Sequence, residues 1–205
     1  MQSVCKVTLV SSDFHIKREI RILGIDDSAL LNEKVMVVGT FYRGGDWMDG
    51  ILRSDITKDG LDATAVICRM ILNSKHYRQI RVIMLDGITY AGFNVIDIEK
   101  LYRETGIPLI VFLRSYPNFE KLKSALKHFP DGEKRWKIIE KAGKIYKITG
   151  EKERASIYIQ KIGVSLESVG KIIRLTSTRG NIPEPLRVAH LIATGIILGE
   201  SRGKA

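Results

Sequence analysis

The 205-residue chain predicts an α/β fold, a mixed sheet with helices on its faces, on three observations. Three early segments are rich in strand formers and joined by short turns, as in an antiparallel meander. Leu109–Leu113 (LIVFL) is a continuous apolar run, the kind carried by parallel strands buried on both faces. Segments of helical period alternate with strands around that run, the pattern of parallel strands joined by crossover helices.

Each element follows from local chemistry. Glu19 to Asp26 (EIRILGID), Glu33 to Tyr42 (EKVMVVGTFY) and Trp47 to Thr57 (WMDGILRSDIT) read as the meander, with turns at 27–32 and at Arg43-Gly44-Gly45-Asp46. Asp59-Gly60 stops the sheet and can cap a helix from about Leu61 to Leu72, apolar nearly all round and therefore expected to be buried on the sheet. Gln79 to Leu85 reads as a strand ending in Asp86-Gly87, and Ile88 to Asn94 as a loop. A helix from about Ile96 to Glu104 is closed by Gly106 and Pro108 before the LIVFL strand. Beyond Pro117, Phe119 to His128 and Glu133 to Ala142 read as two basic helices, and Ile145–Ile148 with Ser156–Ile162 as a hairpin around Gly150. Ser165 can cap a helix to about Thr176, and Pro183 can open a last helix to about Leu198. With no Pro-, Gly- or Ser-rich linker, the reading is one domain over 1–205. Residues 1–16 are an N-terminal extension and 117–161 a basic elaboration.

Composition narrows the function classes. At 44% hydrophobic and 27% charged residues the chain can bury a core, unlike a disordered one. Cys5 and Cys68 lie far apart and form no zinc or disulfide pattern. No apolar run approaches the roughly 18 residues of a membrane span, and no secretory signal is visible, so a soluble, cytoplasmic protein without a membrane partner is expected. The net charge of +10 is unevenly spread. Residues 1–116 hold 15 basic and 14 acidic side chains, whereas 117–161 hold 12 and 6. A one-sided basic field is the footprint of a nucleic-acid binder, RNA or DNA, although a solubilising lysine-rich surface has the same composition. Lys134, Arg135, Lys137 and Lys141 on the second basic helix, with Arg187 on the last helix, are the cations expected to face phosphates.

Ligands of open α/β sheets bind at the carboxyl ends of strands. Asp26 (with Asp27 beside it), Asp55 and Asp86 stand at or near predicted strand ends. Carboxylates gathered from separate strands are costly unless a cation neutralises them, and hard oxygen ligands suit Mg²⁺ or Mn²⁺. Strand alternation lets one of the Asp26-Asp27 pair face the crevice, and Asp26 is the choice because Asp27-Ser28 can begin the turn. Aspartates that merely end strands give the same pattern. On the last helix His190 shares a stripe with Arg187 and Thr194, with Glu184 to its side. His190 can serve as ligand or as acid to a leaving oxygen, and Glu184 as a further ligand, unless both are structural. No phosphate-binding loop, dinucleotide fingerprint, zinc-protease helix or serine-nucleophile elbow is present, so no nucleotide cofactor is expected.

Three motifs together resemble a known family: Arg21-Ile22-Leu23-Gly24-Ile25-Asp26-Asp27-Ser28; Leu85-Asp86-Gly87-Ile88-Thr89 running on to Gly92-Phe93-Asn94-Val95-Ile96-Asp97; and Ile182-Pro183-Glu184-Pro185-Leu186-Arg187-Val188-Ala189-His190. It is the mostly archaeal domain-of-unknown-function family numbered ninety-nine, an uncharacterised protein family, and the resemblance runs from about Lys17 almost to the end. That family is distantly similar to endonuclease V, which implies a ribonuclease H-like mixed sheet and a divalent-metal-dependent nuclease. The implied roles fall on Asp26 in the first strand, Asp86-Gly87 after the fourth and His190 late in the chain. Asp55 stands near a position where endonuclease V has Glu, one residue displaced. The tyrosine–proline–glycine wedge of endonuclease V is replaced here by Trp47-Met48-Asp49-Gly50. The alternatives are a non-catalytic module on the same scaffold that binds nucleic acid or a protein, and a small-molecule enzyme acting on a phosphorylated metabolite.

Overall fold

A computed structural model of the chain describes residues 15–148 and 156–201. The meander forms as β1 (Arg21–Asp27), β2 (Lys34–Arg43) and β3 (Trp47–Thr57), followed by α1 (Ala63–Leu72), β4 (Val82–Asp86), a short β5–β6 hairpin (Thr89–Tyr90, Asn94–Val95), α2 (Ile98–Thr105) and β7 (Leu109–Leu113). Then come α3 (Phe119–Leu126), α4 (Gly132–Lys141), β8 (Tyr146–Ile148), β9 (Ile157–Ile162), α5 (Leu166–Thr176) and α6 (Glu184–Leu198). Seven strands make one sheet in the order β3-β2-β1-β4-β7-β9-β8. β1, β4 and β7 run parallel at its centre, and the outer pairs are antiparallel. The mixed, helix-flanked sheet expected from the sequence is therefore the fold. The β8–β9 hairpin is not a separate appendage, because β9 pairs along β7 and extends the main sheet. The turn expected at Gly150, like most of the 1–16 extension, lies outside the described residues.

Alternation along β1 divides the core in two. Leu23 and Ile25 point to the α1 side, with Ile67, Ile71, Ile83, Leu85 and Tyr90. Ile22 points to the α5–α6 side, with Val82, Met84, Ile172 and Leu186. Capping holds the helices where local chemistry predicts. The Asp97, Asn118 and Ser165 side chains accept from Lys100, Lys121 and Ser168 N–H, and Gly106 ends α2 in the left-handed conformation. Helix α1 departs from expectation. It starts later, after Asp62, and it is one-sided, burying Ala63, Thr64, Ile67, Cys68 and Ile71 while Ala65, Arg69 and Leu72 are exposed. Asp62 does not cap it, because its carboxylate is taken by Thr57 and by the Asn94 amide.

One close approach places the last helix. A Cβ on Gly24 would stand 2.4 Å from the Pro185 carbonyl carbon, so only glycine lets the start of α6 lie on β1. The Thr40 hydroxyl donates to the Pro185 carbonyl at 2.6 Å and pins α6 to β2 as well. Among the described residues, no helix is long and apolar enough to cross a membrane.

Candidate functional site

The carboxyl ends of β1 and β4 open into a crevice of about 360 Å³ lined by Asp26, Asp27, Ser28, Ala29, Asp86, Arg114, His190 and Thr194. Asp26, on the α6 face of β1, is buried. Its Oδ1 accepts from the Asp27 N–H at 2.8 Å, and its Oδ2 lies 2.9 Å from His190 Nδ1. With Asp26 ionised, the Nδ1–H of the imidazole donates to it. Asp86, the last residue of β4, accepts from Arg114 Nη2 at 2.6 Å. Asp27 remains part of β1 rather than starting the turn, so its side chain points to the opposite face and accepts from the Ala91 N–H at 2.5 Å.

Electrostatics sets this crevice apart. Burial raises the Asp26 carboxyl above its ordinary value; the His190 hydrogen bond lowers it again, and the nearby Asp86 charge adds to the rise. Burial pushes Asp27 up to about 7. Tyr90 lies fully buried beneath the three acids, and burial followed by their charges keeps its phenol protonated. The Ser28 hydroxyl is buried here without a hydrogen-bond partner among the described residues.

Among the described residues, no three His, Cys, Asp or Glu side chains close on a common metal position, so this is not a cage built from protein alone. Two strand-end carboxylates in an open crevice do suit Mg²⁺ or Mn²⁺, which are held by one or two carboxylates and complete their shell with water and phosphate oxygens.

Asp26, Asp86 and His190 are thus brought together, while the other candidates lie elsewhere. Asp55 is on the edge strand β3, opposite Met36, whereas Asp26 is opposite Val38; β2 lies between them, and Asp55 pairs with Arg53 at 3.0 Å on the surface. Glu184 is buried at the far end of α6 beside Tyr42 and binds Arg187 through both oxygens, at 2.9 and 2.7 Å. It faces away from the crevice, and Arg187 is held in that ion pair. Arg135 is a correction of a different kind. It is buried, with its guanidinium on the Asp59, Gly60 and Phe93 carbonyls and on the Asp131 carboxylate, and it stacks over Phe129. Lys134, Lys137 and Lys141 are exposed on the opposite stripe of α4. The roles of Arg114, Asp27, Ser28 and Tyr90 emerge only in the folded chain. Arg114 directly follows a parallel strand, at the sheet end where ligands bind, and that position is its one signal in the sequence. Tyr90 carries none.

Several known proteins are similar to this chain. A family model described as endonuclease dU matches residues 18–197. A UPF0215 protein of Methanosarcina barkeri is 76% identical over 94% of this chain and 98% of its own length. Among solved structures, a protein of unknown function from Archaeoglobus fulgidus superposes with a TM-score of 0.79 at 42% identity, covering 86% of this chain and 97% of that one. Endonuclease V of Ciona intestinalis, in complex with a 24mer DNA containing an inosine followed by a ribo-adenosine, superposes with a TM-score of 0.61 at 15% identity over 92% of this chain and 90% of that one. The last likeness shows the ribonuclease H-like fold. The Methanosarcina and Archaeoglobus proteins are archaeal, as the family resemblance implies; none of these matches carries the family number ninety-nine.

Proposed function

The chain belongs to the endonuclease dU family, and from that premise we propose that it is a divalent-metal-dependent endonuclease that hydrolyses nucleic-acid phosphodiesters. The observation that carries this reading is the convergence of Asp26 and Asp86 from two of the three central parallel strands into one crevice, with His190 and Arg114 as their hydrogen-bonding neighbours. Asp26 and Asp86 would hold Mg²⁺ or Mn²⁺, which when bound supplies an activated water and neutralises charge on the scissile phosphate. Arg114, at the crevice wall, is placed to stabilise negative charge developing on the phosphate oxygens. His190 hydrogen-bonds Asp26, and its imidazole is the crevice group proposed to pass a proton to a leaving oxygen. The exposed lysines of α4, Lys134, Lys137 and Lys141, would hold the nucleic-acid backbone without reading bases. The family description makes DNA carrying deoxyuridine the first substrate to try.

The test is a cleavage screen over deoxyuridine-containing, inosine-containing and unmodified DNA and RNA, with Mg²⁺ and with Mn²⁺, run beside Asp86→Asn. The expected outcome is metal-dependent cleavage by the wild type. The variant should lose it at least 100-fold while binding substrate equally or more tightly, because an unneutralised carboxylate repels phosphate. Equal cleavage by both proteins refutes this active site. One observation favours a second reading, a non-catalytic nucleic-acid-binding module: the chain already pairs Asp86 with Arg114 and hydrogen-bonds Asp26 to His190, partners that a scaffold without a cation would need. Tight binding with no cleavage under any metal condition selects that reading.

A further inference from the structure

Tyr90 is fully buried, and a phenol hydroxyl in such a place is costly unless both its hydrogen-bonding capacities are used. They are used on two strands at once. The hydroxyl donates to the Ile25 carbonyl on β1 at 2.7 Å and accepts from the Asp86 N–H on β4 at 3.1 Å. Ile25 and Leu85 are the last paired residues of the β1–β4 ladder, so the hydroxyl lies across its final rung. The two groups it holds belong to the peptides leading directly into Asp26 and into Asp86.

The ring has little freedom to move. Tyr90 pairs with Asn94 in the β5–β6 hairpin, and the Asn94 side chain accepts from the Ala63 N–H while donating to the Thr57 carbonyl and the Asp62 carboxylate. The next residue, Ala91, takes the left-handed conformation (φ 45°) and gives its N–H to the Asp27 carboxylate. Two successive residues of one anchored hairpin therefore hold the backbone under Asp26 and Asp86 and the side chain of Asp27. A phenylalanine would fill the same volume in the core; what the hydroxyl adds is the tie between the two strands.

We propose that Tyr90 is the positioning residue of the crevice: its hydroxyl sets the separation of the Asp26 and Asp86 carboxylates, and so the fit of a divalent cation between them. The inference rests on the cation-holding reading given above, and its experiment separates the two. Crystal structures of the metal-free wild type and Tyr90→Phe give the carboxylate separation, and calorimetric titration with Mn²⁺ gives the affinity. Thr105→Val is the control, since it removes a buried hydroxyl that donates to the Leu101 carbonyl in α2, away from the crevice. Tyr90→Phe should change the separation by about 1 Å or more and weaken Mn²⁺ binding about tenfold or more, as removal of an outer-shell partner does, while Thr105→Val leaves the affinity within about twofold. Superimposable carboxylates in Tyr90→Phe overturn the inference whatever the affinity does, and so does a Tyr90→Phe affinity equal to that of a wild type that binds Mn²⁺. A wild type that takes up no Mn²⁺ at millimolar concentration removes the cation reading instead; the two crystal structures then still decide whether Tyr90 sets the separation.

Discussion

Replacing Arg135 by Met should unfold this protein far more readily than its place in a lysine-rich helix suggests. The guanidinium donates to the Gly60 carbonyl at 2.9 Å, to the Asp59 carbonyl at 2.7 Å and to the Phe93 carbonyl, and pairs with Asp131 at 2.7 and 3.0 Å. Met keeps the packing over Phe129 but leaves three acceptors without their donor. These carbonyls are part-buried, so each acceptor left unpaired costs in the lower part of the range of about 1–3 kcal/mol. Asp131 is 29% exposed in its side chain and recovers water, so it adds little. The expected loss is about 3–5 kcal/mol, in line with breaking other buried charge networks. For a chain of this size that is a fall in Tm of roughly 6–20 °C. Urea unfolding followed by circular dichroism reads it directly, and Arg135→Lys, which keeps the charge but not the fork of donors, should fall between. A loss under about 1 kcal/mol would refute the reasoning. So would a shallower salt dependence of nucleic-acid binding at unchanged stability, the behaviour of a side chain that faces phosphate.

The outer stripe of the same helix should behave oppositely. Changing Lys134, Lys137 and Lys141 together to Gln is expected to leave stability within about 1 kcal/mol and to make the log–log salt slope of duplex binding shallower by up to about 2.7, about 0.9 for each phosphate no longer neutralised; an unchanged slope places the nucleic acid elsewhere. The acids of the crevice make the metal-free protein pH-sensitive. The folded Asp27 carboxyl, pushed up to about 7 by burial, lies above its unfolded value of about 3.9, so the native state holds the extra proton between them. Stability contributed by that proton is present below about pH 4 and lost as pH rises through about 7, by up to about 4 kcal/mol. Denaturant midpoints in a chelator at pH 5 and pH 8 should show the fall in the wild type and a smaller one in Asp27→Asn; equal falls in both proteins would sink the assignment.

What is legible in the sequence follows from periodicity. Alternation and turn residues locate the strands, and the strand-end rule then brings Asp26 and Asp86 into view, because position along a strand and position on the sheet are the same information at its carboxyl end. Asp55 shows the limit of that rule. Its parity places it on the same face as Asp26, but β2 intervenes and the register displaces it by two residues. Arg135 is hidden by composition, a cation among lysines. The buried positions Gly132, Arg135, Ile139 and Ala142 nevertheless mark an inward stripe at helical spacing, so the helix period holds the signal that residue type conceals. Glu184 and Arg187, three apart on a helix, satisfy each other, and their availability depends on a pairing that residue type alone does not reveal. Tyr90 is illegible because its partners are main-chain groups, which every residue possesses.

Helix α4 makes the basic region less dispensable than a surface patch. In the proposed function each of its lysines holds one phosphate, so the outward face can change one residue at a time. The inward face cannot, because Arg135 supports Asp59 and Phe93, Asp59 in turn accepts from the Phe93 N–H, and its own N–H donates to the Ala91 carbonyl. Ala91 grips Asp27. A shortened chain lacking the segment between β7 and β8 would lose the lysines proposed to hold nucleic acid and also the prop under the hairpin beside the acidic crevice. The face proposed to hold nucleic acid and the prop of the site share one helix, and the region cannot be treated as a detachable module.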